Sequence, residues 1–446
     1  MAKYGLVVQR KGDEMLSSQE VKVVDLVWDQ IWSSGITNPI TVLDVIATLL
    51  MTYHSGGDDW ETLNESATSG NGREVAAVIA KVRREHGIEP GAEIEQREFW
   101  NDTSIVVSSV RSMMPILERS GDLIGDMFER VLSRLSTAGH FGQFRTPQHI
   151  VEMMVEIIAP CGGETVMDPA CGTGGFLISA SGYGRETLQR PEVVGIEIDR
   201  TIARIAQANM VLHNVEKSTI HIANGMIEET EKHPDVILAN PPFAGSVEPR
   251  VSWHVGLNSA KTELLFTASM MRRLKPGGRA AVIVPTGVLS SNSNAARSVR
   301  EMLLIDNYLE CVIELPSHVF APYTGVKTGI LIWRNEDPRK RQTKMIRIEN
   351  DGYSLDSRRE PIELSDLQEA IEAFRGKPSR RMIEVSIDEL REAGYNLMPS
   401  RYLPTADDSG VATLDLPTPE EILKEMRGLS GEIAGRLERM GRLLNG

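Results

Sequence analysis

The sequence predicts an α/β fold, a seven-stranded parallel sheet with crossover helices, preceded by an all-helical region and closed by a C-terminal helix. Three observations carry this prediction. From about residue 139, short β-branched runs alternate with helical patterns, which is the grammar of strands joined by crossover helices. Before that point the apolar spacing is helical. Beyond residue 417 one apolar stripe recurs every three or four residues.

Taken in order, residues 18–54 predict two helices broken at SSGITNP, with a stripe through Val23, Leu26, Val27 and Ile31, then Leu43, Ile46, Ala47 and Leu50. Residues 55–75 are rich in Gly, Ser, Asn and Asp and predict a long loop. Helical spacing returns at 106–136. The seven strands are expected in ETVMDPA, VVGIEID, STIHIAN, DVILAN, RAAVIVP, LECVIELP and TGILIWR. Residues 336–415 are polar and mixed, without a readable period. Over 418–444, Thr418 suits an N-cap, Pro419 the first turn and Glu421 a capping box. Ile422, Met426, Leu429, Ile433, Leu437 and Met440 then line one face, which packs on its own protein or binds a partner. The expected domains are a helical domain at 1–138, an α/β domain at 139–345, a mixed region at 346–417 and an amphipathic helix at 418–446.

With 446 residues the chain has room for two or three domains. Its net charge of -14 argues against holding nucleic acid unaided, because that grip comes largely from Lys and Arg on phosphates. The deficit is uneven: residues 1–139 hold 13 bases against 21 acids, and residues 140–335 hold 17 against 19. DNA bound by this middle segment therefore calls for grip from elsewhere. No apolar run reaches the ~18–20 residues that span a bilayer, and MAKYGLVVQRKGDE lacks a signal peptide's apolar segment, so the expected location is cytoplasmic, away from membranes. Cys161, Cys171 and Cys311 form no C-x-x-C pair, so neither a disulfide framework nor a metal site is expected, and the thiols are read as buried or backbone-positioned.

Three motifs carry chemistry. DPACGTGGF runs from Asp168 to Phe176 between a predicted strand and a helix; glycines at Gly172, Gly174 and Gly175 let backbone approach a ligand, and the helix start offers free N–H donors. This turn also suits dinucleotides, but it lacks the Lys-Ser/Thr pair of a P-loop. Glu197 ends the next strand, where a carboxylate can accept both ribose hydroxyls of an adenosine, whether of S-adenosylmethionine or NAD. Asn240-Pro241-Pro242-Phe243 ends a further strand and decides between them. An aromatic exocyclic amine is a poor nucleophile because its lone pair is delocalised into the ring. The Asn240 amide oxygen and the Pro241 carbonyl can each accept one amino hydrogen and draw that nitrogen towards a tetrahedral geometry. The prolines make the corner rigid, and Phe243 can stack on an extruded base. Hydride transfer has no use for this cluster.

With these motifs the chain resembles, over nearly its whole length, the modification (methyltransferase) subunits of type I restriction-modification systems, the N6-adenine DNA methylases. The resemblance also rests on SSGITNPITVLDVIATLLMTYHS, GDLIGDMFERVLSRLSTAGHFGQFRTPQHIVEMMV, LKPGGRAAVIVPTGVL and GYNLMPSRYL. It implies a class I S-adenosylmethionine-dependent methyltransferase fold, Rossmann-like and mostly parallel, with an antiparallel last strand. It implies S-adenosyl-L-methionine as cofactor, held by GQFRTPQ (Gln143, Phe144, Arg145, Thr146, Pro147, Gln148), by Asp168, Gly172, Thr173, Gly174 and Gly175, by Glu197 at the ribose and by Asn224 at the adenine. Arg145 stands where an aromatic is common, Gln148 where a base is common and Asn224 where an Asp is common. The implied partners are double-stranded DNA, a specificity subunit that reads the target and, in many members, a restriction motor-nuclease subunit, with two copies of this chain per complex. The expected activity is site-specific adenine-N6 methylation of DNA. Two other readings are a related enzyme acting on RNA or protein, and a cofactor-bound inactive scaffold of a phage-defence complex. His149 is expected to start a helix rather than to catalyse.

Overall fold

A computed structural model describes residues 16–403 apart from 37, 89–99, 101, 120–122, 138–145, 184–188, 244, 322–323 and 339–341. The terminal helix expected at 418–444 lies outside the described residues, as do Gln143, Phe144 and Arg145.

Helices fill the N-terminal part: α1 (Ser18–Ser33), α2 (Pro39–Ser55), α3 (Gly57–Thr68), α4 (Gly72–Glu85), α5 (Thr103–Arg119) and α6 (Leu123–Thr137). Ser17 and Glu20 close a capping box on α1, and Asn38 with Pro39 starts α2. In α1 the buried face is Val24, Val27, Trp28 and Ile31, whereas Leu26 of the expected stripe is half exposed. Helix α2 is buried from Pro39 to Thr52, so the others wrap around it. Its inward polar groups are paired: Thr48 and Thr52 donate to carbonyls one turn back, and Asp44 meets Arg83 of α4 at 2.8 Å.

The loop expected at 55–75 is instead α3 and the start of α4. Asp58 and Asp59 face the positive end of the α3 dipole, and Asn71 caps α4 by accepting from the Glu74 backbone. Only Leu63, Ser66 and Ala67 of α3 are buried, too few apolar positions to stand out from the polar composition.

After α7 (Gln148–Ile158) come β1 (Thr165–Asp168), α8 (Gly175–Gly182), β2 (Glu192–Glu197), α9 (Arg200–Leu212), β3 (Ser218–Ile222), β4 (Val236–Ala239), α10 (Pro249–Val255), α11 (Thr262–Arg273), β5 (Arg279–Pro285), α12 (Thr286–Ser290), α13 (Asn294–Ile305), β6 (Tyr308–Glu314) and β7 (Thr328–Arg334). All seven expected strands are present. Beyond them, β8 (Gln342–Arg347), β9 (Asp351–Tyr353), β10 (Pro361–Ser365), α14 (Leu367–Phe374), β11 (Met382–Ser386) and α15 (Ile387–Glu392) occupy the stretch without a readable period.

The main sheet has nine strands rather than seven, ordered β11-β8-β6-β7-β5-β4-β1-β2-β3. β3, β2, β1, β4 and β5 run parallel, and β7 lies antiparallel between β5 and β6. β8 adds parallel to β6, and β11 antiparallel to β8. These added strands, β11 at the edge and β8 next to it, mix polar and apolar residues in short runs, which hides them from a search for continuous apolar runs such as β1 and β4. β9 and β10 form a separate hairpin.

Helix α9 is shared between two cores. Ile202, Ile205, Ala208 and Leu212 join the helical core around α2, while Ala206 and Met210 join one face of the sheet. Cys171 and Cys311 are buried; Cys161 is exposed, its thiol near the Ala159 carbonyl.

Candidate functional site

The order in which successive strands are added reverses between β1 and β4, β2 and β3 lying on one side and β5 on the other, and the crevice at the carboxyl ends of strands at such a switch is where open α/β sheets bind ligands. Asp168 ends β1, Glu197 ends β2 and Asn240 follows β4, so adjacent strand ends bring the three motifs to one crevice.

The glycine loop after β1 is fixed from several sides. Gly172 donates to Glu197 Oε2 at 3.1 Å, while Asp199 donates to Glu197 Oε1 at 2.9 Å, so the buried Glu197 carboxylate ties the loop to the end of β2. Asn209 of α9 donates to the Thr173 carbonyl at 2.8 Å. Gly174 caps α8 at φ +87°, and a side chain there would strike Met210. Side chains added at Gly172 or Gly175 would meet no atom within 4 Å, so open space lies over both.

Asp168 is buried and accepts from the Ala170 amide at 3.0 Å. Burial, with nearby Glu197 adding to it, pushes its carboxyl up to about 8 against the opposing pull of that hydrogen bond. Burial likewise raises the Cys171 thiol, which removes it as a ready nucleophile.

Asn240 Nδ2 donates to Thr146 Oγ1 at 2.9 Å, which fixes the orientation of the amide. Its Oδ1 is buried and has no hydrogen-bond partner among the described residues. A buried acceptor left unpaired costs about 1–3 kcal/mol, so this oxygen is poised for a donor that comes from outside the chain. The Pro242 carbonyl accepts from Thr262 Oγ1 at 2.9 Å, anchoring the corner to α11, whereas the Pro241 carbonyl accepts no hydrogen bond among the described residues. Phe243 is half-buried and meets Phe320 edge to face, with ring centroids 6.1 Å apart.

The remaining expected residues are placed as follows. Pro147 caps α7, and its carbonyl accepts from Ile150 and Val151. Gln148 is exposed and donates to Glu152 and Ser179. Asn224 uses its Oδ1 to accept from Met226 N at 3.0 Å, leaving its amide NH2 for other contacts. His149 lies in the first turn of α7, 3.0 Å from buried Asp351 and stacked on Tyr353. Burial alone would raise the Asp351 carboxyl, but hydrogen bonds from His149 and Arg359 hold it below the usual carboxylate range.

Two further residues escaped the sequence reading. Gly225 packs so closely on the β1 loop that a side chain there would lie 1.7 Å from the Pro169 carbonyl oxygen. Ile198, directly after Glu197, is 65% exposed and offers an apolar wall at the crevice; its signal was an apolar residue just beyond a strand-ending acid.

Compared with known proteins, residues 119–410 match the N-6 DNA Methylase family. The type I restriction enzyme EcoEI methylase subunit of Escherichia coli is 30% identical over 299 residues, covering 62% of this chain and 61% of that one. The HindI methylase subunit of Haemophilus influenzae is 24% identical over 353 residues, covering 73% and 79%. The crystal structure of a type I restriction-modification system methyltransferase subunit from Streptococcus thermophilus shares the fold, with a TM-score of 0.69 at 18% identity over 86% of this chain and 99% of that one. The chain spans 61% of the EcoEI subunit and 45% of two further curated relatives.

Proposed function

The chain belongs to the N-6 DNA methylase family, and on that premise we propose that it is a site-specific DNA methyltransferase acting on the exocyclic amino group of adenine. The observation that carries this reading is the buried, unpartnered Oδ1 of Asn240, its amide fixed in orientation by the bond from its Nδ2 to Thr146. That oxygen accepts one amino hydrogen of an adenine turned out of the duplex, and the Pro241 carbonyl accepts the other. Both acceptors are in place before the substrate arrives, so no reorganisation accompanies the developing charge. Phe243, braced by Phe320, stacks on the base.

S-adenosylmethionine, the cofactor this family implies, supplies an electrophilic methyl group on a sulfonium when bound. The residues present fit it. The open space over Gly172 and Gly175 admits a ligand against the loop backbone; Glu197 would hold the ribose hydroxyls, the exposed Ile198 would cover the adenine and the Asn224 amide would donate to its ring. By the family resemblance, Thr146 and Pro147 would cover its methionine end. No general base is needed, because the amino proton passes to solvent once the new bond has formed.

The proposed complex contains duplex DNA and a specificity subunit, and the near-neutral charge of residues 140–335 fits a borrowed DNA grip. The test supplies the full chain and a specificity subunit with methyl-labelled cofactor and either duplex DNA, ribosomal RNA or protein. Label in N6-methyladenine of DNA, lost in Asn240→Ala, is expected. Label confined to RNA or protein overturns the reading.

A further inference from the structure

Between the Asn-Pro-Pro corner and α11 the chain makes an excursion over residues 245–261 that carries α10. On it stands Trp253, 90% exposed, although tryptophan is among the side chains most buried on average. The excursion is rigid. Ser246 bridges Lys261, Val247 N donates to the Ala260 carbonyl at 3.1 Å, and Ser252 Oγ donates to the Leu257 carbonyl at 2.6 Å. Val251, Val255 and Leu257 are buried beneath it. Thr262, at its root, accepts from Gly245 N and donates to the Pro242 carbonyl, so Trp253 rides on a platform bonded to the catalytic corner.

The surroundings identify the occupant. Arg250, His254 and Lys261 are exposed on the excursion, against one acid, Glu248, which pairs with Arg250 at 2.9 Å. In a chain of net charge -14 this is a local reversal of sign. No other large apolar side chain of the excursion is exposed, so Trp253 is an isolated ring among polar groups rather than part of a contiguous apolar patch for protein docking. An exposed aromatic face on a segment whose exposed charges are mainly basic suits a nucleobase with its phosphates.

We infer that Trp253 is a positioning residue that stacks on a base of the DNA next to the target adenine, while Arg250 and Lys261 meet the adjoining phosphates. The inference rests on the methyltransferase reading and deepens it. The test compares full-length wild type, Trp253→Phe and Trp253→Ala, each co-purified with the specificity subunit. Four quantities are measured: cofactor Kd, kcat, KM for duplex DNA, and the fluorescence of 2-aminopurine placed beside the target. Trp253→Ala is expected to raise KM for DNA on the order of tenfold and to abolish the stacking quench, with cofactor Kd unchanged, while Trp253→Phe keeps most of both. A Trp253→Ala complex that matches an active wild type overturns this inference and leaves the catalytic reading intact. Loss of co-purification with the specificity subunit identifies a protein-docking residue and also overturns it. A wild-type complex that methylates no DNA overturns the catalytic reading itself.

Discussion

Thr146 and Asn240 are 94 residues apart in sequence and joined by a hydrogen bond of 2.9 Å, in which the amide of one is oriented by the hydroxyl of the other. Without that acceptor the amide can turn over and present NH2 where the reaction needs oxygen. The relationship gives Thr146 a task at the acceptor corner in addition to the cofactor contact expected of it.

Thr146→Val keeps the shape and removes the acceptor. The expected result is a kcat about 10-fold lower, matching about 1.4 kcal/mol of lost orientation, with cofactor Kd within about twofold and Thr146→Ser near wild type. Single-turnover methylation with saturating DNA measures it. A Thr146→Val enzyme with wild-type kcat contradicts the orienting role.

Replacing Asn240 separates shape from acceptor chemistry. Asn240→Ala is expected to lower kcat by about 10²–10³-fold, the usual scale for removing a preorganised polar group. Asn240→Asp, which still offers oxygens to the amine, is expected to retain more activity than Asn240→Ala. The reverse order, measured in the same transfer assay, argues against an acceptor at this position.

Asp168 makes both stability and binding depend on pH. Its carboxyl is pushed up to about 8, mainly by burial, whereas an aspartate in the unfolded chain titrates near ~4. Between those values the folded chain holds a proton the unfolded chain lacks, so this group's contribution is fully present below ~4 and is lost as pH rises through about 8. A cationic cofactor favours the ionised carboxylate, so its affinity is expected to rise with pH over the same window and binding to release a proton. Calorimetry in buffers of different ionisation heat detects that proton; a flat profile in the wild type, equal to that of Asp168→Asn, disproves the coupling.

Gly225→Ala sets a side chain against the Pro169 carbonyl oxygen, backbone against backbone, where no flexible group can yield. Overpacking of this kind costs about 1–3 kcal/mol. A lower Tm together with a cofactor Kd at least about 10-fold weaker is expected, because the displaced loop is the one that carries Gly172 and Thr173. Unchanged cofactor binding rules out this coupling.

The Asp44–Arg83 pair, buried beside α2, is expected to be asymmetric under mutation. Asp44→Ala removes the carboxylate facing the buried guanidinium, which keeps its bonds to Thr48, and costs about 3–5 kcal/mol, whereas the double change Asp44→Leu with Arg83→Met costs less. Urea denaturation resolves the two, and equal losses refute the account.

The strand-end positions of Asp168, Glu197 and Asn240 were legible because each follows a short apolar run, and the strand order then places them side by side. Other features were hidden for physical reasons. Helix α3 buries only three small or apolar residues, with Trp60 partly covered, so its composition reads as loop. β11 is an edge strand and β8 lies one strand in, and both mix polar with apolar residues. The Thr146–Asn240 bond and the approach of Gly225 to Pro169 join segments distant along the chain, and neither leaves a local period.

Helix α9 belongs to both halves of the packing and also holds the glycine loop, through Asn209 and the Thr173 carbonyl. It therefore acts as a strut with one end on the glycine loop and one flank in the bundle. A change in how the bundle packs bears on the glycine loop through this one helix, although the two lie far apart along the chain.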